Sequence, residues 1–137
     1  MSYKIINNFL DKEHLSVIQG LIFDTEFPWR RREELVTNAN DGIYFTHCFY
    51  NDMESTSPNF PTVIKPILIK LKCIAPIQIR SNMFISKLFK KSDFHTDYKN
   101  TKSKTAIFYL NTCDGGTEIK IEDKIKFIKA DENKMLI

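Results

Sequence analysis

The second half of the chain is a succession of short apolar segments separated by turn residues, and this pattern limits the fold more than any other feature. The segments that fit β-strands are residues 75–86, 94–98, 105–111, 117–121, 124–128 and 135–137. Only Glu122 and Asp123 separate two alternating segments, which predicts a tight hairpin even though the pair lacks the glycine that such turns favour. So many short strands joined by short turns predict antiparallel sheets.

The first half of the chain carries the helical signals. Asp11 is a suitable N-cap, and behind it Leu15, Ile18 and Ile22 recur at helical spacing, so a helix is predicted to end near Asp24. Residues 60–74 also show helical spacing, but Pro66 would kink or restart a helix there. Helices first and strands second indicate an α+β fold, with helices packed on antiparallel sheets.

The composition is that of an ordinary globular chain. With 137 residues, 42% hydrophobic and 27% charged, it is long enough for one domain with a core of its own. The net charge of +3 is too small to indicate nucleic-acid binding by itself. The N-terminus lacks the apolar core of a signal peptide, and no apolar run is long enough to span a bilayer. We therefore expect a cytoplasmic protein without a membrane partner.

His95 and Asp97 form the one pair that suggests metal chemistry. They stand two residues apart in a segment predicted to be a strand, and a strand directs such residues to one face. Imidazole and carboxylate are two of the three ligands of a two-histidine, one-carboxylate iron site. By itself, however, a His-x-Asp sequence more often consists of ordinary polar surface residues.

The surroundings of this pair resemble a known family. Residues 109–111 read Tyr-Leu-Asn and are followed by a turn with Gly115 and Gly116, while residues 44–47 read Tyr-Phe-Thr-His. The opening residues 5–11 also resemble the family's entry into the domain. This order is similar to that of the prolyl-4-hydroxylase-like branch of the Fe(II)/2-oxoglutarate dioxygenases, and above all to its small members from marine phages and bacteria.

The resemblance implies a fold, cofactors and site residues. The fold would be a distorted double-stranded β-helix (a jelly roll, cupin-like) with N-terminal helices, and residues 1–137 would be one partial oxygenase domain. Fe(II) would be held by His95 and Asp97, with 2-oxoglutarate as co-substrate and ascorbate as a candidate further cofactor. Tyr109 and Asn82 would contact the co-substrate. Asn82 would substitute for a tyrosine that the family often has at the position of Phe84. The implied substrate is a protein side chain or a small molecule, in the host cytoplasm if a phage encodes the protein.

The resemblance also implies that part of the site is missing. The family's second histidine follows the His-x-Asp pair, but no histidine follows His95. We therefore expect the chain to stop before that histidine and before the last strands of the fold. Such an ending would leave an open sheet edge at the C-terminus through which copies could associate. His47 precedes the pair, so it is expected to be a partly buried structural or substrate-side histidine rather than the third ligand.

Two alternatives stay open on sequence grounds. The chain could be a non-catalytic, jelly-roll-like binding module that keeps the His-x-Asp pair as a relic. The run Arg30, Arg31, Arg32 could grip an anionic substrate or nucleic acid. The adjacent Glu33 and Glu34 dilute this charge, which favours a solvated surface, and nucleic acid is not the expected partner.

Overall fold

The computed structural model describes residues 2–33, 42–97 and 102–137 and divides the chain into two compact units. One unit comprises Met1–Gln19 with Thr96–Ile137, and the other comprises Gly20–His95. Both are built mainly from antiparallel strands, so the predicted α+β class is confirmed. Whether the two units form the single domain expected from the sequence stays a prediction.

The described elements are mostly strands with two α-helices. The strands are β1 (Ile5–Ile6), β2 (Arg30–Arg32), β3 (Gly42–Asn51), β4 (Glu54–Ser55), β5 (Gln78–Phe89), β6 (Ile107–Tyr109), β7 (Gly116–Ile121), β8 (Lys124–Lys129) and β9 (Lys134–Leu136). The helices are α1 (Lys12–Ile22) and α2 (Lys65–Leu71), with a π-helical turn at Phe60–Ile64. Within the described ranges, no helix is both long enough and apolar enough to cross a membrane.

Helix α1 begins and packs as the sequence predicts. The backbone N–H of His14 donates a hydrogen bond of 2.9 Å to Oδ1 of Asp11, which confirms Asp11 as the N-cap. The helix ends at Ile22, close to the predicted end. Its apolar face is buried at Leu15 and Ile18, as the helical spacing requires.

The C-terminal strand is the middle strand of a sheet in the first unit. Strand β9 lies between β1 and β6, with Ile5 and Ile107 both paired to Leu136. Strand β1 is therefore an outer strand of this sheet. The open sheet edge expected at the C-terminus is wrong, because β9 is paired on both sides. Self-association of the chain stays a prediction.

The predicted hairpin is present as β7 and β8. Ile121 pairs with Lys124, so Glu122 and Asp123 alone make the turn. Glu122 adopts a φ of 54°, the left-handed conformation that usually favours glycine in such turns. The six antiparallel residue pairs of the hairpin outweigh this local strain, which is about 1–2 kcal/mol for a single residue.

The second unit is organised around β3. Strands β2 and β4 pair with one side of β3 and β5 pairs with the other. The pairing of β3 with β5 is interrupted near Gly42, where Tyr44 pairs with Phe84 but Gly42 pairs with Phe89. Strand β5 therefore continues past residue 86, its predicted end. The pairing of Gly42 with Phe89 extends it through Lys87.

The second helical segment restarts at its proline. The backbone N–H of Lys65 bonds to the carbonyl of Phe60, which makes the first turn π-helical, and α2 follows with Pro66 in its first turn. Proline is tolerated there because a first-turn N–H has no partner within the helix. The predicted restart is confirmed. Val63 and Ile64 of the π-helical turn are buried in the unit's core.

Candidate functional site

The segment that carries the predicted metal ligands is exposed and has no regular secondary structure. Residues 94–97 form no strand, and the chain bends at Asp97. The strand predicted for residues 94–98 is therefore wrong over its described part, while Tyr98 lies outside the described residues. Alternation of side chains predicts a strand only where a partner supplies the ladder hydrogen bonds, and residues 94–97 pair with none of the described strands.

His95 is nevertheless oriented by a backbone hydrogen bond. Its Nδ1 lies 3.0 Å from the carbonyl oxygen of Asp93, and the side chain is exposed. Since a carbonyl only accepts, Nδ1 carries the proton in the neutral ring and Nε2 carries the lone pair. A backbone carbonyl that fixes the tautomer in this way is the usual support of a histidine that binds metal through Nε2.

Asp97 belongs to the other unit and has its own polar neighbour. The hydroxyl of Thr105 donates to Oδ2 of Asp97 across 3.5 Å, a long hydrogen bond on an exposed side chain. A carboxylate accepts several hydrogen bonds and keeps further lone pairs for a cation. In the chain, Asp97 is separated from His95 by Thr96 alone.

Tyr109 lies in a half-buried polar cluster of the first unit. Its hydroxyl donates a 2.7 Å hydrogen bond to Oγ1 of Thr117. Burial raises the pKa of the Tyr109 phenol, and the hydrogen bond to Thr117 and the charge of Lys134 oppose that rise. Lys134 is paired with Tyr109 across β6 and β9, and its ammonium donates to the Lys129 carbonyl at 2.9 Å and to Asp131.

The sequence did not single out Thr117 or Lys134 as neighbours of Tyr109. Thr117 alternates with Ile119 along β7, a signal that places it on a strand but names no partner. Lys134 is the first residue of β9 and lies one position before the strand predicted at residues 135–137. Only the pairing of β6 with β9 brings the ammonium to the side of the phenol.

Asn82 lies in the second unit, on β5, and is exposed. The hydroxyl of Thr46 on β3 lies 2.9 Å from its Oδ1 and 3.0 Å from the carbonyl of Ser81. The side chain of Asn82 is thus held across the strand pair, as a directly opposite residue permits. The neighbouring Phe84 stacks on Tyr44 instead of making a polar contact.

The other two histidines, His47 and His14, form hydrogen bonds outside the segment that carries the predicted metal ligands. His47 is buried, its Nδ1 donates to the Pro28 carbonyl at 3.1 Å, and its Nε2 accepts from Ser57 Oγ at 2.8 Å. The expected burial of His47 is confirmed, and the choice between a structural and a substrate-side role stays a prediction. His14 is exposed and contacts Oδ2 of Asp11 through Nδ1 at 2.6 Å.

In the part of the chain that the structure describes, no three histidine, cysteine or acidic residues are grouped as a metal site would need. Comparison with family models, with curated proteins and with solved structures found no match. The chemistry of the individual residues and their order along the chain are therefore what supports a function.

Proposed function

We propose that this protein is an Fe(II)/2-oxoglutarate-dependent oxygenase that hydroxylates a protein side chain or a small molecule. Its fold would be a distorted double-stranded β-helix with N-terminal helices. The observation that carries the proposal is the orientation of His95. Its Nδ1 donates to the Asp93 carbonyl, so the neutral ring carries its lone pair on Nε2, the atom that would ligate a metal, two residues before a carboxylate.

The donor set fits iron(II). Imidazole nitrogen and carboxylate oxygen are the ligand types of non-haem iron oxygenases, and His95 and Asp97 supply one of each. When bound, iron would supply the oxygen activation that amino-acid side chains lack. The Asp93 carbonyl keeps the imidazole in the tautomer that can ligate, and the Thr105 hydroxyl orients the carboxylate.

The same resemblance assigns the co-substrate to Tyr109 and Asn82. The phenol of Tyr109 lies beside an ammonium, and it would hold a carboxylate of 2-oxoglutarate by turning its proton from Thr117 to that group. The amide of Asn82 offers both a donor and an acceptor. Ascorbate is a candidate further cofactor by resemblance alone.

His95 and Asp97 account for two of the three positions of a facial triad. His47 would have to break two hydrogen bonds and leave its buried site to become the third ligand. Because each lost ligand weakens a metal site, we expect these residues alone to hold Fe(II) weakly. The affinity of the chain for Fe(II) therefore measures how much His95 and Asp97 contribute to metal binding.

The test is an anaerobic Fe(II) titration of the wild type, His95→Ala and Asp97→Ala, followed by measurement of succinate release from 2-oxoglutarate. Loss of one ligand should weaken iron binding at least about tenfold, as loss even of a supporting residue can. His14→Ala is the matched control, because it removes an exposed histidine whose ring contacts Asp11, the cap of its own helix. Its iron affinity should equal that of the wild type.

Iron affinity and succinate release that are unchanged in both His95→Ala and Asp97→Ala would refute the proposal. That result would favour the alternative, a non-catalytic jelly-roll-like binding module in which the pair is a relic. Far-ultraviolet circular dichroism of each variant checks that the fold is retained. Both replaced side chains are exposed, so neither change should disturb a core.

A further inference from the structure

The three strands β2, β3 and β5 of the second unit present one continuous face. Residues directly opposite each other in antiparallel strands project to the same side of the sheet. Two rows of such residues cross all three strands, and they are Arg32–Tyr44–Phe84 and Arg30–Thr46–Asn82. A third row adds Cys48 and Arg80. We call this surface the arginine face.

The charged side chains of the arginine face are all cationic. Arg30 and Arg32 are exposed on one outer strand, and Arg80 is exposed on the other. None of the described positions that form the three rows is acidic. Arg31 points to the opposite side of the sheet, where its guanidinium pairs with Glu33 at 2.7 Å. Strand pairing therefore places Arg30 and Arg32 on the side of the sheet opposite to the Arg31–Glu33 ion pair.

The centre of the arginine face carries an exposed aromatic ring. Phe84 is 47% exposed, although it stacks on Tyr44 with ring centroids 5.6 Å apart and planes at 24°. Phe89 supports the same ring at a centroid distance of 4.6 Å. Phe84 is thus fixed from one side and open on the other. Because about half of the Phe84 side chain is exposed, a stacking ligand that covered it would gain about 1 kcal/mol, roughly half of what full burial of such a side chain provides.

A polar pair lies beside this ring. Asn82 is exposed and its amide is held by the Thr46 hydroxyl at 2.9 Å. A fixed amide offers one donor side and one acceptor side, the pattern with which asparagine recognises the edge of a nucleobase. The ring of Phe84 and this amide lie two residues apart on the same side of β5.

We propose that the arginine face binds single-stranded nucleic acid. Arg30, Arg32 and Arg80 contact phosphates, a base stacks on Phe84, and Asn82 bonds to a base edge. Cations that follow the backbone, combined with an aromatic platform, are the general means of binding single strands. An acidic peptide would also satisfy the arginines, but it would make no use of a fixed, open ring beside an amide. The proposal does not depend on iron or on His95. It assigns Asn82 to a base edge instead of to 2-oxoglutarate, because one amide serves one of these ligands at a time.

The test is fluorescence anisotropy of a labelled thymidine oligonucleotide, about 16 nucleotides long, titrated with the full chain at several salt concentrations in EDTA. Wild type should bind, and the logarithm of its affinity should fall linearly with the logarithm of salt. Arg30→Ala and Arg32→Ala should each reduce that slope by about 0.7. Phe84→Leu, which keeps an apolar side chain on Tyr44, should weaken binding about tenfold.

The controls change the same residue types elsewhere. Arg31→Ala alters the net charge equally but lies on the other side of β2, and Phe127→Leu changes a ring that is 53% exposed on β8. Both should bind like the wild type. The proposal is overturned if wild type does not bind, if Arg31→Ala weakens binding as much as its neighbours do, or if Phe84→Leu has no effect. It is also overturned if a polyglutamate peptide, and not the oligonucleotide, binds with this dependence on Arg30, Arg32 and Phe84. Urea unfolding of each variant confirms that a loss of binding is not a loss of fold.

Discussion

The side chain of Asn133 binds the backbone of Leu10 from both sides, across 123 residues of chain. The Leu10 N–H donates to Asn133 Oδ1 at 2.8 Å, and Asn133 Nδ2 donates to the Leu10 carbonyl at 2.7 Å. Both residues are buried. The amide therefore replaces a strand partner for Leu10, just before α1, and fixes the N-terminal segment against the turn that precedes β9.

Asn133→Ala should lower the free energy of unfolding by about 2–4 kcal/mol, because it leaves two buried backbone groups without partners. Chemical denaturation measures this loss. Asn8→Ala is the control, since Asn8 has a similar positive φ of 50° but is exposed. Placing alanine in that left-handed conformation should cost only about 1 kcal/mol. Equal losses in the two variants would show that backbone strain, and not the bonds to Leu10, explains the effect.

Replacing two glycines by alanine should change stability in opposite directions. Gly42 has a φ of 99°, and a Cβ there would overlap the carbonyl oxygen of Leu88. Gly42→Ala should therefore cost more than about 2 kcal/mol of unfolding free energy. Gly20 lies within α1 with no atom near its would-be Cβ, so Gly20→Ala should add about 0.5–1 kcal/mol. Melting temperatures that shift in the same direction would contradict this prediction.

The phenol of Tyr109 should make stability depend on alkaline pH. Burial raises its pKa above the ordinary value of 10.0, so the folded protein favours the neutral form. This contribution is fully present below pH 10.0 and is lost as the pH rises through the raised pKa. Tyr109→Phe should flatten the alkaline fall in unfolding free energy measured by urea denaturation.

Ser57 should stabilise the second unit through His47. Its hydroxyl donates to Nε2 of the buried ring, which lies between Phe27 and Phe49 at centroid distances of 4.6 Å. Ser57→Ala leaves that nitrogen without its partner and should cost about 1–3 kcal/mol of unfolding free energy. Ser55→Ala removes an exposed hydroxyl nearby and should stay within about 0.5 kcal/mol of the wild type. Denaturation curves that coincide for the two variants would contradict the prediction.

At the candidate site, residue types identified possible metal ligands but did not predict their geometry. His95 and Asp97 can be picked from the sequence because iron oxygenases use those ligand types at that spacing. The strand that was to direct them to one face is absent, since residues 94–97 pair with no described strand. The tautomer of His95 depends on the Asp93 carbonyl, and the environment of Tyr109 depends on β7 and β9. The periodicity of the sequence does not predict those contacts.

The sequence by itself determined the local features, which depend on residues close to one another in the chain. Asp11 caps α1 through a residue three positions away, Pro66 restarts a helix, and Glu122 with Asp123 closes a hairpin between strands already adjacent in the chain. Such elements form because their hydrogen bonds close small loops at little entropic cost.

Only the tertiary structure decided which distant segments pair. It placed β9 between β1 and β6 and continued β5 past Gly42 to Phe89. It also set Arg30 and Arg32 on one side of a sheet and Arg31 on the other. Each of these outcomes depends on the register between strands, and a shift of one residue would reverse every side chain. Register is set by the packing of the whole unit, because a single strand has no preference between its two faces until one of them is buried.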